Sequence, residues 1–310
     1  MNKYNVENLA DNLTKHTLSF GASSIEIIPE KGALLNSLII NHQQLLDHYN
    51  QIEELQTLDW AKSALLFPFP NRLKDGKYSW ENVPYQFPIN LPPNAIHGFG
   101  LFEPFTVIDT EFNSYFSKIS LSYIYNKKYS FYPFKFEVTI SYILFENSLK
   151  VNYFAKNMDN HPIPMGLGWH PYFSIGGNVA EWYLRMPPTK KIEVDENMIP
   201  TGKTAKFSAF EKEKKIENTE LDTCFKVEEK ENFEMEIRND KGILKYWQSV
   251  GNKKFNLVQL FIPPKRSCIA IEPMTCGIDA FNQDKNMVSL GVGEVLGGSF
   301  GVEWMEIKLN

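Results

Sequence analysis

The strongest constraint on the fold is a two-residue beat. In FKFEVTISYILF, Phe134, Phe136, Val138, Ile140, Tyr142 and Leu144 alternate with Lys135, Glu137, Thr139 and Ser141. Side chains point to opposite faces at successive positions of a strand, so this stretch buries one face and wets the other. The same beat recurs in KISLSYIY (118–125) and LKVNYFAK (149–156). SSIEII (23–28), ALLNSLII (33–40), FEMEI (233–237), FNLVQLFI (255–262), SCIAIE (267–272) and SFGVEWMEIKL (299–309) are further strand candidates, most of them bounded by Gly, Pro, Asn or Asp. Helical spacing is confined to 42–66, and the caps there are poor. The pattern predicts an all-β protein, a large antiparallel sandwich of many strands.

No linker, low-complexity tract or internal repeat divides the 310 residues, so one domain over 1–310 is expected. A 14% aromatic share fills a large core and leaves rings over for a cleft. The formal charge of -5 gives no field for nucleic acid or an anionic membrane, and neither partner is expected. Cys224, Cys268 and Cys276 are odd in number and contain no C-x-x-C, which argues for reduced thiols rather than disulfides or a zinc knuckle. The polar N-terminus lacks an apolar leader, and no run reaches the length of a membrane span, so a cytoplasmic protein is the expectation.

Chemistry has to come from strand ends and loops. In GLGWHPYF (166–173), alternation puts Leu167, Trp169, Pro171 and Phe173 on an apolar face and Gly166, Gly168, His170 and Tyr172 on the other. The two glycines leave that face empty, room in which a ligand could lie. In SCIAIEPMT (267–275), Glu272 shares a face with the small Cys268 and Ala270. Both His170 and Glu272 precede proline, which suggests where each strand stops pairing. Glu103 and His161 also precede proline, so these positions read equally as solvated strand ends. His97 sits in PPNAIHGFG, between a proline pair and glycines, a setting for a ligand loop. His16, His42 and His48 read as surface residues. His97, His170 and Glu272 are metal-ligand types, but no H-x-H or H-E-x-x-H spacing accompanies them, and no metal or other cofactor is expected.

Taken in order, FPNRLKDG, IHGFG, GLGWHPYF, LDTCF and IEPMTCGIDAFN resemble the aldose 1-epimerase (galactose mutarotase) family over most of the chain. The resemblance implies a β-sandwich of the galactose mutarotase type with a sugar in an open cleft on one sheet. It also implies interconversion of the α and β anomers of a free aldose. By the same likeness Glu272 is the general base and His170 the general acid. His97 is the second histidine on the sugar, Arg72 the arginine at its polar rim, and Asp222 the carboxylate that accepts a sugar hydroxyl. Alternation adds Tyr172 as a ring able to cover an apolar sugar face and sends Trp169 to the core.

Ring opening needs a base for the anomeric hydroxyl proton and an acid for the ring oxygen, a carboxylate and an imidazolium on opposite sides of one sugar. Three rivals remain open at this point: a non-catalytic sugar-binding sandwich, a glycoside hydrolase using carboxylates about 5 to 9 Å apart, and a hexose-6-phosphate mutarotase of the same fold. The last would need cations, and the lysine-rich EKEKKIE (211–217) could supply them only by folding over the cleft. The preferred aldose and the oligomeric state are not legible in the chain.

Overall fold

The computed structural model describes residues 3–307. Lys308 and Leu309, the end of the expected terminal strand, lie outside that range. Two large antiparallel sheets make the body of the sandwich. The first has nine strands, in the order Thr106–Phe112, Ser117–Tyr125, Phe136–Leu144, Ser148–Asn157, Val295–Glu306, Gly242–Ser249, Asn232–Arg238, Tyr183–Arg185 and Lys214–Lys215. The second runs Pro200–Phe207, Thr189–Val194, Asp222–Lys226, Leu257–Phe261, Ile269–Met274, Gly168–His170 and Ala64–Leu66, with Tyr172–Phe173 paired beside Ile269–Met274. A five-stranded sheet from Lys3–Asn8 to Gln43–Gln44 adjoins them.

The alternation becomes packing in the strand Phe136–Leu144, where Phe136, Val138, Ile140, Tyr142 and Leu144 are all buried and the intervening residues half-buried. Rings lock the two large sheets together. Trp169 stacks on Phe300 at 5.1 Å, Phe255 meets Phe300 edge-on at 5.1 Å, and the Tyr153 hydroxyl donates to the Leu66 carbonyl. Trp169 is thus core, and its indole N–H is satisfied by the Ser63 carbonyl at 3.0 Å.

Three local expectations are corrected. Residues 42–66 open and close on short strands, Gln43–Gln44 and Ala64–Leu66, and between them hold one four-residue α-helix, Glu54–Thr57, and a 3-10 turn, Asp59–Ala61, in an otherwise irregular path. Its apolar residues serve different surfaces: Leu45 and Leu46 join the main core, while Tyr49, Leu55 and Leu58 pack on Leu13, Ile28 and Leu34. Helical spacing arose there without a helical face. The empty face of Gly166 and Gly168 is filled by the chain itself. A Cβ on Gly166 would stand 2.3 Å from Cys276 Sγ, and one on Gly168 would stand 2.7 Å from Pro70 Cβ. Lastly, the strand holding Glu272 does not stop at Pro273, which pairs with Val258 because the neighbouring ladder on that side does not need its missing N–H.

Candidate active site

Sheet register assembles the floor of one cleft. Gly168 faces Met274 and Tyr172 faces Ala270, so His170, midway between them, lies across from Glu272. Gln259 flanks Glu272 on the other side, and Ala64 flanks His170. One row across four strands therefore reads Gln259, Glu272, His170, Ala64. The row beside it reads Asp222, Phe261, Ala270, Tyr172. Pro171 and Pro273 supply no N–H between the paired ends, and the ladder is interrupted where the two ionisable residues meet.

Loops supply the walls. Arg72 pairs with Ile96 across the short ladder Arg72–Leu73 with Ala95–Ile96, which carries His97 to the cleft. The Asn71 carbonyl accepts the His97 backbone N–H at 2.9 Å, and the Asn71 backbone N–H donates to His97 Nδ1 at 3.2 Å. That bond leaves Nε2 as the protonated nitrogen of neutral His97. Gly98 lies so close to the Phe67 carbonyl that a Cβ would be 2.1 Å from its oxygen, which with a φ of +65° admits only glycine. The cleft, about 400 Å³, is lined by all six residues singled out from the sequence, Arg72, His97, His170, Tyr172, Asp222 and Glu272.

It is also lined by residues that sequence reasoning missed: Trp60, Asn71, Gln259 and Phe261 among them. Gln259 holds the polar side together. Its Oε1 accepts from Asn71 Nδ2 at 3.3 Å and its Nε2 donates to Asp222 Oδ1 at 2.7 Å, while Asn71 Oδ1 accepts from Arg72 Nη1 at 3.2 Å. A glutamine inside the apolar run FNLVQLFI was the available signal. His16, His42 and His48 do not line the cleft; His42 is exposed, and the other two are half-buried and hydrogen-bonded locally.

His170 Nε2 stands 3.5 Å from Glu272 Oε1, and both side chains are more than nine-tenths buried. His170 Nδ1 and Glu272 Oε2 have no hydrogen-bond partner among the described residues. The two groups lie side by side on one sheet face rather than on opposite sides of a sugar-sized space. Ring oxygen and anomeric oxygen are bonded to the same carbon, so adjacent groups suit them. Dehydration pushes the Glu272 carboxyl well above its ordinary value, with Asp222 adding to the rise and Arg72 opposing it. Dehydration also pushes the His170 imidazole down to about 4. Dehydration thus favours the neutral carboxylic acid and imidazole over the ion pair that ordinary values give. His97 is held well below its ordinary value by dehydration first, then by His170 and Arg72.

A β-sandwich with a buried carboxyl–imidazole pair on the floor of an open cleft of about 400 Å³ is the class that fold and site define. Within it, the chain belongs to the aldose 1-epimerase family, whose model matches residues 14–302. An uncharacterized protein of Escherichia coli, YihR, is 29% identical over 74% of this chain and 75% of its own length. Galactose mutarotase of Rattus norvegicus is 28% identical, but over 47% of this chain and 44% of its own length. Among solved structures, a galactose mutarotase-like protein of Clostridium acetobutylicum and a galactose 1-epimerase of Lactobacillus acidophilus each superpose with a TM-score of 0.85 over 99% of both chains, at 18% and 17% identity. At that identity they establish the galactose mutarotase type of fold. No helix among the described residues is long and apolar enough to cross a membrane.

Proposed function

We propose that this protein is an aldose 1-epimerase that interconverts the anomers of a free hexose, with Glu272 as base and His170 as acid. The observation that carries the reading is the buried His170–Glu272 pair, 3.5 Å apart, two cleft-lining residues each with a buried polar atom left without a partner among the described residues. The pair holds a single proton, and sugar hydroxyls donating to Glu272 favour the tautomer in which that proton sits on His170. The Glu272 carboxylate then removes the proton from the anomeric hydroxyl. That oxygen forms the carbonyl, the bond from the anomeric carbon to the ring oxygen breaks, and the ring oxygen takes the proton of His170. The open chain is left beside a neutral pair, the form that burial favours, and closure on the other face reverses each transfer. His97, Arg72 and Asp222 bind hydroxyls along the polar wall, and no cofactor enters.

A phosphorylated hexose is disfavoured by the charges present. Arg72 is the one Lys or Arg lining the cleft among the described residues. Lys214 and Lys215 of EKEKKIE belong to the nine-stranded sheet, where Lys215 pairs with Glu181. Arg266 donates to the Thr219 and Glu217 carbonyls in a turn. Polarimetry on freshly dissolved α-galactose and α-glucose tests the reading. Accelerated mutarotation is expected, and no acceleration of any aldose at high protein concentration refutes it.

A further inference from the structure

Trp60 is 58% exposed, yet its backbone is held in the left-handed region at a φ of +66°. Leu58, Ala61 and Ser63 around it also have positive φ. For bulky residues this conformation is costly and persists only where the surroundings enforce it. Here the Tyr49 hydroxyl clamps the loop on both sides of Trp60, donating to the Asp59 carbonyl at 2.8 Å and accepting the Lys62 N–H at 2.9 Å. The Ser63 N–H donates to the His170 carbonyl at 2.8 Å, which ties the loop to the strand of the proposed acid. The strain keeps a large apolar ring at the cleft, where it lies nearly parallel to Phe261 at 6.2 Å.

Rings continue inward from there. Phe261 is 6.4 Å from Tyr172, and Tyr172 stacks on His170 at 4.8 Å and 17°. Between Phe261 and Tyr172 in the sheet lies the fully buried Ala270, on which both pack. The opposite end of the floor is closed, since Leu257 and Met274 pack with Cys224, Ile199 and Ile278. The cleft thus has a polar side, Gln259, Asp222, Asn71 and Arg72, and an aromatic side, Tyr172, Phe261 and Trp60. If His170 serves the ring oxygen, as the proposed function requires, the carbon beyond that oxygen, C5, lies on the Tyr172 side. Glu272 and its neighbour Gln259 then lead C2 and C3 toward the polar wall.

Resting on that reading, we propose that Trp60 is a specificity-determining residue, forming with Phe261 and Tyr172 an aromatic wall against the C5 end of the pyranose. The wall takes aldoses whose C5 substituent is uncharged, hydroxymethyl or methyl, and rejects an anionic one. An aromatic ring gains by covering C–H groups and brings no positive charge to offset the dehydration of a phosphate dianion.

The test compares galactose, 6-deoxygalactose and galactose 6-phosphate with the parent protein, Trp60→Ala and Trp60→Phe, and adds a tryptophan-fluorescence titration with methyl β-galactopyranoside, which binds without ring opening. In the parent, 6-deoxygalactose should match galactose within about 10-fold in kcat/KM, and the phosphate should be worse by about 100-fold or more. Trp60→Ala should raise KM for galactose about 10-fold with kcat changed less than about 2-fold, and Trp60→Phe should restore most of the affinity. The glycoside should perturb fluorescence in the parent and not in Trp60→Phe. An unchanged KM in Trp60→Ala, or a preference for the phosphate, overturns the proposal. If no aldose is turned over but the glycoside still perturbs Trp60, the enzymatic reading fails and the wall stands.

Discussion

Two glutamates of this protein are each 2% exposed, each followed by proline, and chemically opposite. Glu103 accepts hydrogen bonds from the hydroxyls of Tyr129 at 2.7 Å and Tyr123 at 2.8 Å, and from Lys128 Nζ at 3.1 and 3.2 Å. Glu272 has one oxygen without a partner and the other 3.5 Å from a histidine. A buried carboxylate given its full complement of donors becomes a structural tie. One left short of donors stores its unmet demand for whatever enters the cleft. The paired histidines teach the same lesson: His161 precedes proline, is 39% exposed and lies 3.6 Å from Asp159, whereas His170 is buried with Nδ1 unmatched.

The sharpest way to break this contrast is substitution. Glu272→Gln and His170→Asn should each lower mutarotation at least about 100-fold with the fold intact, and the double variant should be little worse than the poorer single one because both act on one event. Polarimetry on purified variants decides this; near-normal turnover in either removes that residue from the mechanism. Glu103→Gln should do the reverse, costing about 3 kcal/mol in urea unfolding while kcat stays near the parent value. If Glu103→Gln is as stable as the parent, its donors are not a tie.

A smaller effect separates the two sites by pH. The carboxyl of Glu272 is raised in the folded state above its ordinary 4.5, so the unfolded chain ionises first and the parent loses stability as pH rises from that value to the raised one. Glu272→Gln lacks this loss. Its stability relative to the parent should therefore grow with pH by up to about 1.4 kcal/mol per unit. For His170, lowered to about 4 from 6.5, the parent loses stability as pH falls between those values, and His170→Asn should gain in that direction. Thermal melts across pH 4 to 8 measure both trends; parallel curves for parent and variants would contradict the dehydration of the pair. The least effect, none, is expected from chelation: if a bound cation were to Glu272 what Lys128 is to Glu103, EDTA would abolish mutarotation and one divalent ion would restore it.

Much of this contrast was out of reach of the sequence. The strands themselves were legible, because a half-buried strand writes its two faces into alternate residues, as Phe136–Leu144 does. So were the faces of His170 and Glu272, since Trp169 and Ile271 mark the buried side of each strand. What could not be read was which Glu-Pro step met donors. Tyr123, Tyr129 and Lys128 lie 20 to 26 residues from Glu103 and reach it only through tertiary packing. Trp60 was obscured for another reason: leucines around it fell at helical intervals, and only the folded backbone reveals its left-handed turn. Gly166 and Gly168 misled because an absent side chain looks the same whether a ligand or Pro70 occupies the space.

The separation between the two ionisable groups is fixed by the distance between neighbouring strands, not by the reach of any loop. Their register leaves no freedom to drift, since a slip of one residue in either strand would turn its ionisable group away from the cleft and break the pair. The segments around Trp60 and from Asn90 to His97 sit above that fixed pair. Exchanging those segments between homologues should therefore alter which sugar is accepted and leave the proton transfers untouched, which makes the sheet a reusable chassis and the loops its interchangeable fittings.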